Sequence, residues 1–144
     1  MTVFADSSAL VKLYSDEDGH EAIRELENLV VAQIARVEVP AAIWRKTRAG
    51  QLGAASAAVL VAEFESDYFG TSEELPRFAS IELGPGLLDD AAALSATRGL
   101  RAYDAVQLAA ARVAAAADST CATFAAFDRG LRTAAAAEGF VLIP

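Results

Sequence analysis

The sequence predicts an α/β domain with a mainly parallel sheet, and three observations carry that prediction. Apolar segments bounded by polar or turn residues recur along the chain on a strand–helix rhythm. No linker interrupts that rhythm, so the 144 residues read as one domain, 1–144. With 54% hydrophobic and 22% charged residues the chain can bury a core of its own, and its one cysteine, Cys121, supplies no disulfide.

The elements follow in order. Thr2 to Ala5 reads as a first strand, after which Ser7 or Ser8 can cap a helix carrying Ala9, Leu10, Val11, Leu13 and Tyr14. Asp16-Glu17-Asp18-Gly19 ends that helix, His20 to Glu27 continues as helix, and the β-branched run Leu29 to Ala32 suits a buried strand. The next helix starts near Ala35, with Pro40 in its early turns and an apolar stripe expected at Ile34, Val37, Ala41 and Trp44. Gly50-Gln-Leu-Gly53 breaks the chain before a long helix whose stripe Ala57, Leu60, Phe64 and Tyr68 faces inward, with Glu63, Ser66 and Asp67 outward. These two helices are expected to form a hairpin projecting from the sheet.

Phe78 to Leu83 reads as a third strand, Gly84-Pro85-Gly86 as a turn, and Leu87 to Thr97 as a helix with Asp89 and Asp90 near its start. An Ala-rich helix from Tyr103 to Ala117 closes at Asp118-Ser119, and Thr120 to Phe124 forms the fourth strand. A helix from about Asp128 to Ala137, Gly139 as its C-cap and a last strand, Phe140 to Ile143, complete the chain.

Charge narrows the function classes. Twelve Lys and Arg against twenty Asp and Glu give −8, the wrong sign for gripping a phosphate backbone by charge alone. No uncharged apolar run reaches the ~18 residues of a membrane span. Met1-Thr-Val-Phe-Ala-Asp enters a strand pattern with no basic leader, which predicts a cytoplasmic protein without membrane contact.

Four acids stand apart from the solvated ones. Asp6 lies at the carboxyl end of the first strand, where open α/β sheets bind ligands. Glu38 sits among apolar residues near a helix start, Asp104 opens the helix Tyr103-Asp-Ala-Val-Gln-Leu-Ala, and Asp128 follows the fourth strand. Strand ends and helix starts of a parallel sheet gather at one edge, so these four can converge there. Converging carboxylates raise one another's pKa and call for a counter-charge. An all-oxygen set with no clustered His or Cys selects Mg²⁺ or Mn²⁺ over zinc. Such an ion orients a phosphodiester and lowers the pKa of a bound water, so the lone His20, in an acidic surface segment, is not needed as a base.

Asp6-Ser-Ser-Ala-Leu-Val-Lys-Leu13, Glu38 in its apolar helix, Tyr103-Asp-Ala-Val-Gln-Leu-Ala109 and Phe127-Asp-Arg-Gly-Leu131 together resemble the ordered acidic motifs of PIN-domain ribonucleases, above all their VapC-type toxins. The likeness runs from Met1 to Pro144. It implies a three-layer α/β/α domain and an Mg²⁺- or Mn²⁺-dependent endoribonuclease that cuts structured RNA such as tRNA or rRNA. It also implies neutralisation by a VapB-like antitoxin. By position Asp6, Glu38, Asp104 and Asp128 match the family's acidic quartet, and Ser8 matches the hydroxyl that holds a carboxylate in place. The chain departs at Ala126, where the family often carries Thr or Ser. In the expected mechanism Asp6, Asp104 and Asp128 hold one or two ions, Glu38 orients the attacking water, and cleavage leaves 5′-phosphate and 3′-hydroxyl ends.

Plainer roles compete with these. Asp6 and Asp128 can cap helices, Asp104 can compensate a helix dipole, and Glu38 can be a surface residue. Arg45, Lys46 and Arg48, with Arg98, Arg101, Arg129 and Arg132, are either solvated helix faces or a rim guiding RNA. The rival to an enzyme is a catalytically silent PIN fold that only docks an antitoxin. A haloacid-dehalogenase-like phosphatase is disfavoured because it needs an aspartate at position 8, which is serine. The apolar faces around Trp44 and Leu60 point to a homodimer or an antitoxin groove.

Overall fold

The computed structural model describes every residue from Met1 to Pro144. Five parallel strands, β1 (Thr2–Ala5), β2 (Asn28–Ala32), β3 (Phe78–Ile81), β4 (Thr123–Ala125) and β5 (Val141–Ile143), lie in the order β3-β2-β1-β4-β5. The helices are α1 (Ser7–Leu10, extended by a 3₁₀ turn over Val11–Leu13), α2 (His20–Arg24), α3 (Ala35–Arg48), α4 (Ala54–Phe69), α5 (Pro85–Arg98), α6 (Ala102–Ala117) and α7 (Arg129–Ala137).

Alternation along the strands builds the three layers. Phe4, Val30, Phe124 and Ala126 point to one face, where α5, α6 and α7 supply Leu87, Leu94, Leu108 and Leu131. Val3, Leu29, Val31 and Ala125 point to the other, under Leu10, Ile23, Val39, Ile43 and Phe64 of the earlier helices. Phe4 stacks on Phe124 with ring centroids 5.3 Å apart, pinning the two central strands. The register Phe4↔Val30 and Phe4↔Phe124 keeps each face in step.

Strand order reverses beside β1: the chain moves outward through β2 to β3, then returns to place β4 on the other side of β1. That reversal opens a crevice at the carboxyl ends of β1 and β4, the general ligand site of such sheets. Helices following strands begin at the same edge, as does α6, which runs back to feed β4. The fold therefore brings Asp6, Glu38, Asp104 and Asp128 to one rim.

Several local expectations are corrected. The buried stripe of α3 is Ala35, Val39 and Ile43, while Val37 is 69% exposed and Trp44 36% exposed. The helix is apolar on more than one face, and packing against α4, α1 and the 3₁₀ turn chooses between them. Asp67 does not face solvent alone: it accepts a hydrogen bond from Tyr14 Oη at 2.6 Å and pairs with Arg77 at 3.3 Å. Pro85 is the first residue of α5, so Asp89 and Asp90 lie beyond its first turn, and Asp90 pairs with Arg112 at 3.3 Å. The second helix ends at Arg24 and the fourth strand starts only at Thr123. No helix is long and apolar enough to cross a membrane.

Candidate active site

A cleft of about 970 Å³ runs along that rim, and all four acids line it together with Ser8. Asp6 is 4% exposed and caps α1: its Oδ1 accepts from the Ala9 amide at 2.9 Å and from Ser8 Oγ at 2.7 Å. The first helix is thus capped by Asp6, not by Ser7 or Ser8. Both bonds use one oxygen, leaving Oδ2 for the cleft. Burial is the main force pushing the Asp6 carboxyl up to about 7; the Ser8 and Ala9 hydrogen bonds pull it down, and the charges of Glu38 and Asp104 push it up again.

Glu38 projects from the first turn of α3, half-buried. Its Oε1 accepts from Ser7 Oγ at 3.1 Å and from Gln107 Nε2 at 2.8 Å. Burial raises its pKa above the usual range against the pull of those two donors, with the Asp104 charge adding to the rise. Asp104 lies in the first turn of α6 and Asp128 caps α7, its Oδ1 accepting from the Leu131 amide at 2.9 Å. Asp6 and Asp128 therefore do cap helices, with one oxygen each, and keep a second oxygen for other work.

Ser8 is a hinge of the site. Its Oγ donates to Asp6 and accepts from the Phe127 amide at 3.0 Å, tying the end of β1 to the segment that carries Asp128. Ala126 is fully buried, and Asp128 takes its support from its own helix.

The site roles of three residues escape the sequence. Gln107 is 2% exposed, one turn beyond Asp104; its Nε2 donates to Glu38 and to Ser7 Oγ at 3.0 Å, while its Oε1 has no partner. A glutamine inside the apolar run Ala105-Val-Gln-Leu-Ala109 was the available signal. Ser7 was read only as a cap. Lys12, 8% exposed within Ala9-Leu-Val-Lys-Leu13, also reaches the cleft.

The donor set suits a hard cation. No three acidic, His or Cys side chains stand as a ready-made metal cage. A cation nonetheless already bridges two of the acids: Arg101 Nη2 lies 3.2 Å from Asp104 Oδ2 and 3.6 Å from Asp128 Oδ2. The Arg101 side chain is 81% exposed, so screening keeps this contact weak and exchangeable. Oxygen donors, a carboxyl whose ionisation burial opposes, and a stand-in guanidinium fit a divalent ion of the magnesium class.

Comparison with known proteins agrees with the fold. The chain superposes on PAE2754 from Pyrobaculum aerophilum with a TM-score of 0.66 and 24% identity, over 99% of this chain and 83% of that one. It superposes on Mycobacterium tuberculosis VapC20, a sarcin–ricin loop cleaving toxin, with a TM-score of 0.63 and 16% identity, over 97% of both chains. No curated protein sequence matches it. The profile of the PIN domain matches residues 3–137, nearly the whole domain built around this cleft, and the chain therefore belongs to the PIN-domain family.

Proposed function

We propose that this protein is a metal-dependent endoribonuclease of the VapC toxin type, acting in the cytoplasm and neutralised by a VapB-like antitoxin. The observation that carries the reading is the gathering of Asp6, Glu38, Asp104 and Asp128 in one cleft at the strand-order reversal of a PIN fold. Asp6, Asp104 and Asp128 would hold Mg²⁺ or Mn²⁺. When bound, the ion supplies polarisation of the phosphoryl oxygen and a water of lowered pKa.

The chain's own residues do the rest. Ser8 fixes the rotamer of Asp6, so that Oδ2 is presented to the cleft. Ser7 and Gln107 hold Glu38 Oε1, leaving Oε2 to accept a proton from the attacking water. Arg101, once displaced from the acids, stands at the cleft mouth as a donor for a phosphate oxygen. Structured RNA such as tRNA or rRNA is the substrate class, in keeping with the sarcin–ricin loop named for VapC20. The exposed stripe Val37, Ala41 and Trp44 on α3 supports a homodimer or antitoxin contact.

The test is antitoxin-free protein mixed with total RNA and Mg²⁺. Discrete products with 5′-phosphate and 3′-hydroxyl ends are expected, abolished by EDTA and by Asp6→Asn or Asp104→Asn in folded protein. Intact RNA under all conditions, from antitoxin-free protein that still binds a VapB-like antitoxin when one is added back, would instead establish the silent docking module.

A further inference from the structure

The cleft has a second, cationic end that the acidic site does not use. Lys12, Arg45 and Lys46 line it, and Glu17 stands between the two lysines. Lys12 Nζ lies 3.3 Å from Glu17 Oε2, donates to the Asp18 carbonyl at 2.8 Å and sits 4.1 Å above the centre of the Phe127 ring. Lys46 Nζ bonds the other carboxylate oxygen, Glu17 Oε1. Burying a lysine is costly unless its charge is met, so an ammonium 8% exposed and aimed into a cleft needs an anion there. Glu17 is that anion in the free protein, and the two lysines pull its carboxyl below the usual range against the opposing effect of partial burial.

The loop that carries Glu17 is anchored to the catalytic rim. Gly19 has φ +85° and a Cβ there would lie 2.6 Å from the Phe127 ring, so only glycine lets the loop pack against the residue preceding Asp128. The lysines are therefore held at a fixed place relative to the acids. Along α3, Glu38 and Arg45 are seven residues apart, two turns of one helix face, a rise of roughly 10 Å. At ~3.4 Å per stacked nucleotide that is about three nucleotides of RNA.

We infer that Lys12, Arg45 and Lys46 form a cradle for one RNA backbone phosphate about three nucleotides from the cut, and that Glu17 is its placeholder, displaced when the phosphate arrives. This rests on the nuclease reading above. The chemistry is an exchange of anions: the oxygens of a phosphodiester replace the two oxygens of Glu17 between the same two ammonium groups, with no bond made or broken. The acidic end mirrors it, with Arg101 in the place of a cation.

The test reads RNA binding against salt on an Asp6→Asn background, which keeps the helix cap and does not cut. A fluorescein-labelled oligouridylate of about twelve nucleotides is titrated in Mg²⁺ buffer. Each phosphate contact on a single strand adds about 0.7 to the slope of log K against log salt, which is about fivefold in affinity at 0.1 M. Lys46→Gln is expected to flatten the slope by about 0.7 and weaken binding about fivefold at that salt. Glu17→Gln is expected to do the opposite, binding more tightly at low salt with no loss of slope. Arg112→Gln, a charge outside the cleft, should change neither.

An unchanged slope in Lys46→Gln, or weaker binding in a folded Glu17→Gln protein, overturns the cradle and leaves the nuclease intact. Equal flattening by Arg112→Gln overturns it too, because the effect would then belong to the overall field. A background protein that binds no RNA at any salt brings down both readings together.

Discussion

Replacing Asp6 with asparagine should make the metal-free protein more stable while abolishing cleavage. Burial raises the Asp6 carboxyl from its ordinary 3.8 to about 7. A folded-state pKa above the unfolded one means that the folded chain holds the proton more tightly. The stability it confers is whole below about pH 4 and is lost as pH rises to 7. A rise of about three pH units corresponds to about 4 kcal/mol lost by pH 8. Asparagine cannot ionise, and it caps helices as well as aspartate. Its Oδ1 can still accept from the Ala9 amide and Ser8 Oγ. At about 0.3 kcal/mol per kelvin of unfolding entropy for a chain of this length, 4 kcal/mol is about 13 °C in Tm. Thermal unfolding by circular dichroism in EDTA, from pH 4 to 8, should show the two proteins converging at the acid end and diverging to about that gap at the alkaline end. Mg²⁺ should narrow the gap by stabilising the parent alone. Equal melting temperatures across the range would refute the argument, for Asp6 would then ionise in the fold without cost.

Three further outcomes follow from the geometry. Gln107→Leu removes the donor at 2.8 Å from Glu38 and the unpartnered Oε1 together, so the fold should hold while Glu38 becomes harder to ionise. The acid limb of the cleavage pH profile should move up by about 0.5 to 1 pH unit, and an unmoved limb would deny Gln107 its positioning role. Arg101→Ala should tighten Mn²⁺ binding, read by electron paramagnetic resonance, by about two- to fivefold, the worth of an exposed ion pair. Arg129→Ala, which removes a charge that makes no ion pair with the acids, should leave Mn²⁺ affinity unchanged, and parity between the two would contradict exchange. Phe124→Ala, beneath Phe4 in the fully buried centre of the sheet, should cost about 3–5 kcal/mol in urea denaturation.

Much of the fold was legible because the strands are short apolar runs with polar punctuation, and because both faces of a parallel sheet are buried. Thr2–Ala5 and the helix through Ala102–Ala117 fell where composition placed them. The failures share a cause. In α3 the positions Val37, Ala41 and Trp44 satisfy helical spacing as well as Ala35, Val39 and Ile43 do, and nothing local to the helix says which stripe is buried. The four acids were legible through order and position. Their supports were not, because Gln107 lies 69 residues from Glu38 and only the fold brings them together. Lys12 was hidden for the opposite reason: one lysine in an apolar run reads as a solvated intrusion until a partner such as Glu17 is found across a turn.

The charge problem posed by the composition resolves within the cleft. The chain carries −8, yet the cleft lining sets five acids (Asp6, Glu17, Glu38, Asp104, Asp128) against four bases (Lys12, Arg45, Lys46, Arg101), a balance of −1 with every group ionised. Asp6, with its carboxyl raised to about 7, holds its proton below neutrality and brings that balance to zero. One divalent ion at the acids then makes the lining positive while the outer surface stays strongly negative. On the proposed nuclease reading, an RNA strand is repelled from most of this protein and drawn to one groove, more strongly when metal occupies it. Association should therefore strengthen with the divalent ion, and a strand that is three nucleotides too short to reach Arg45 should lose binding more than turnover.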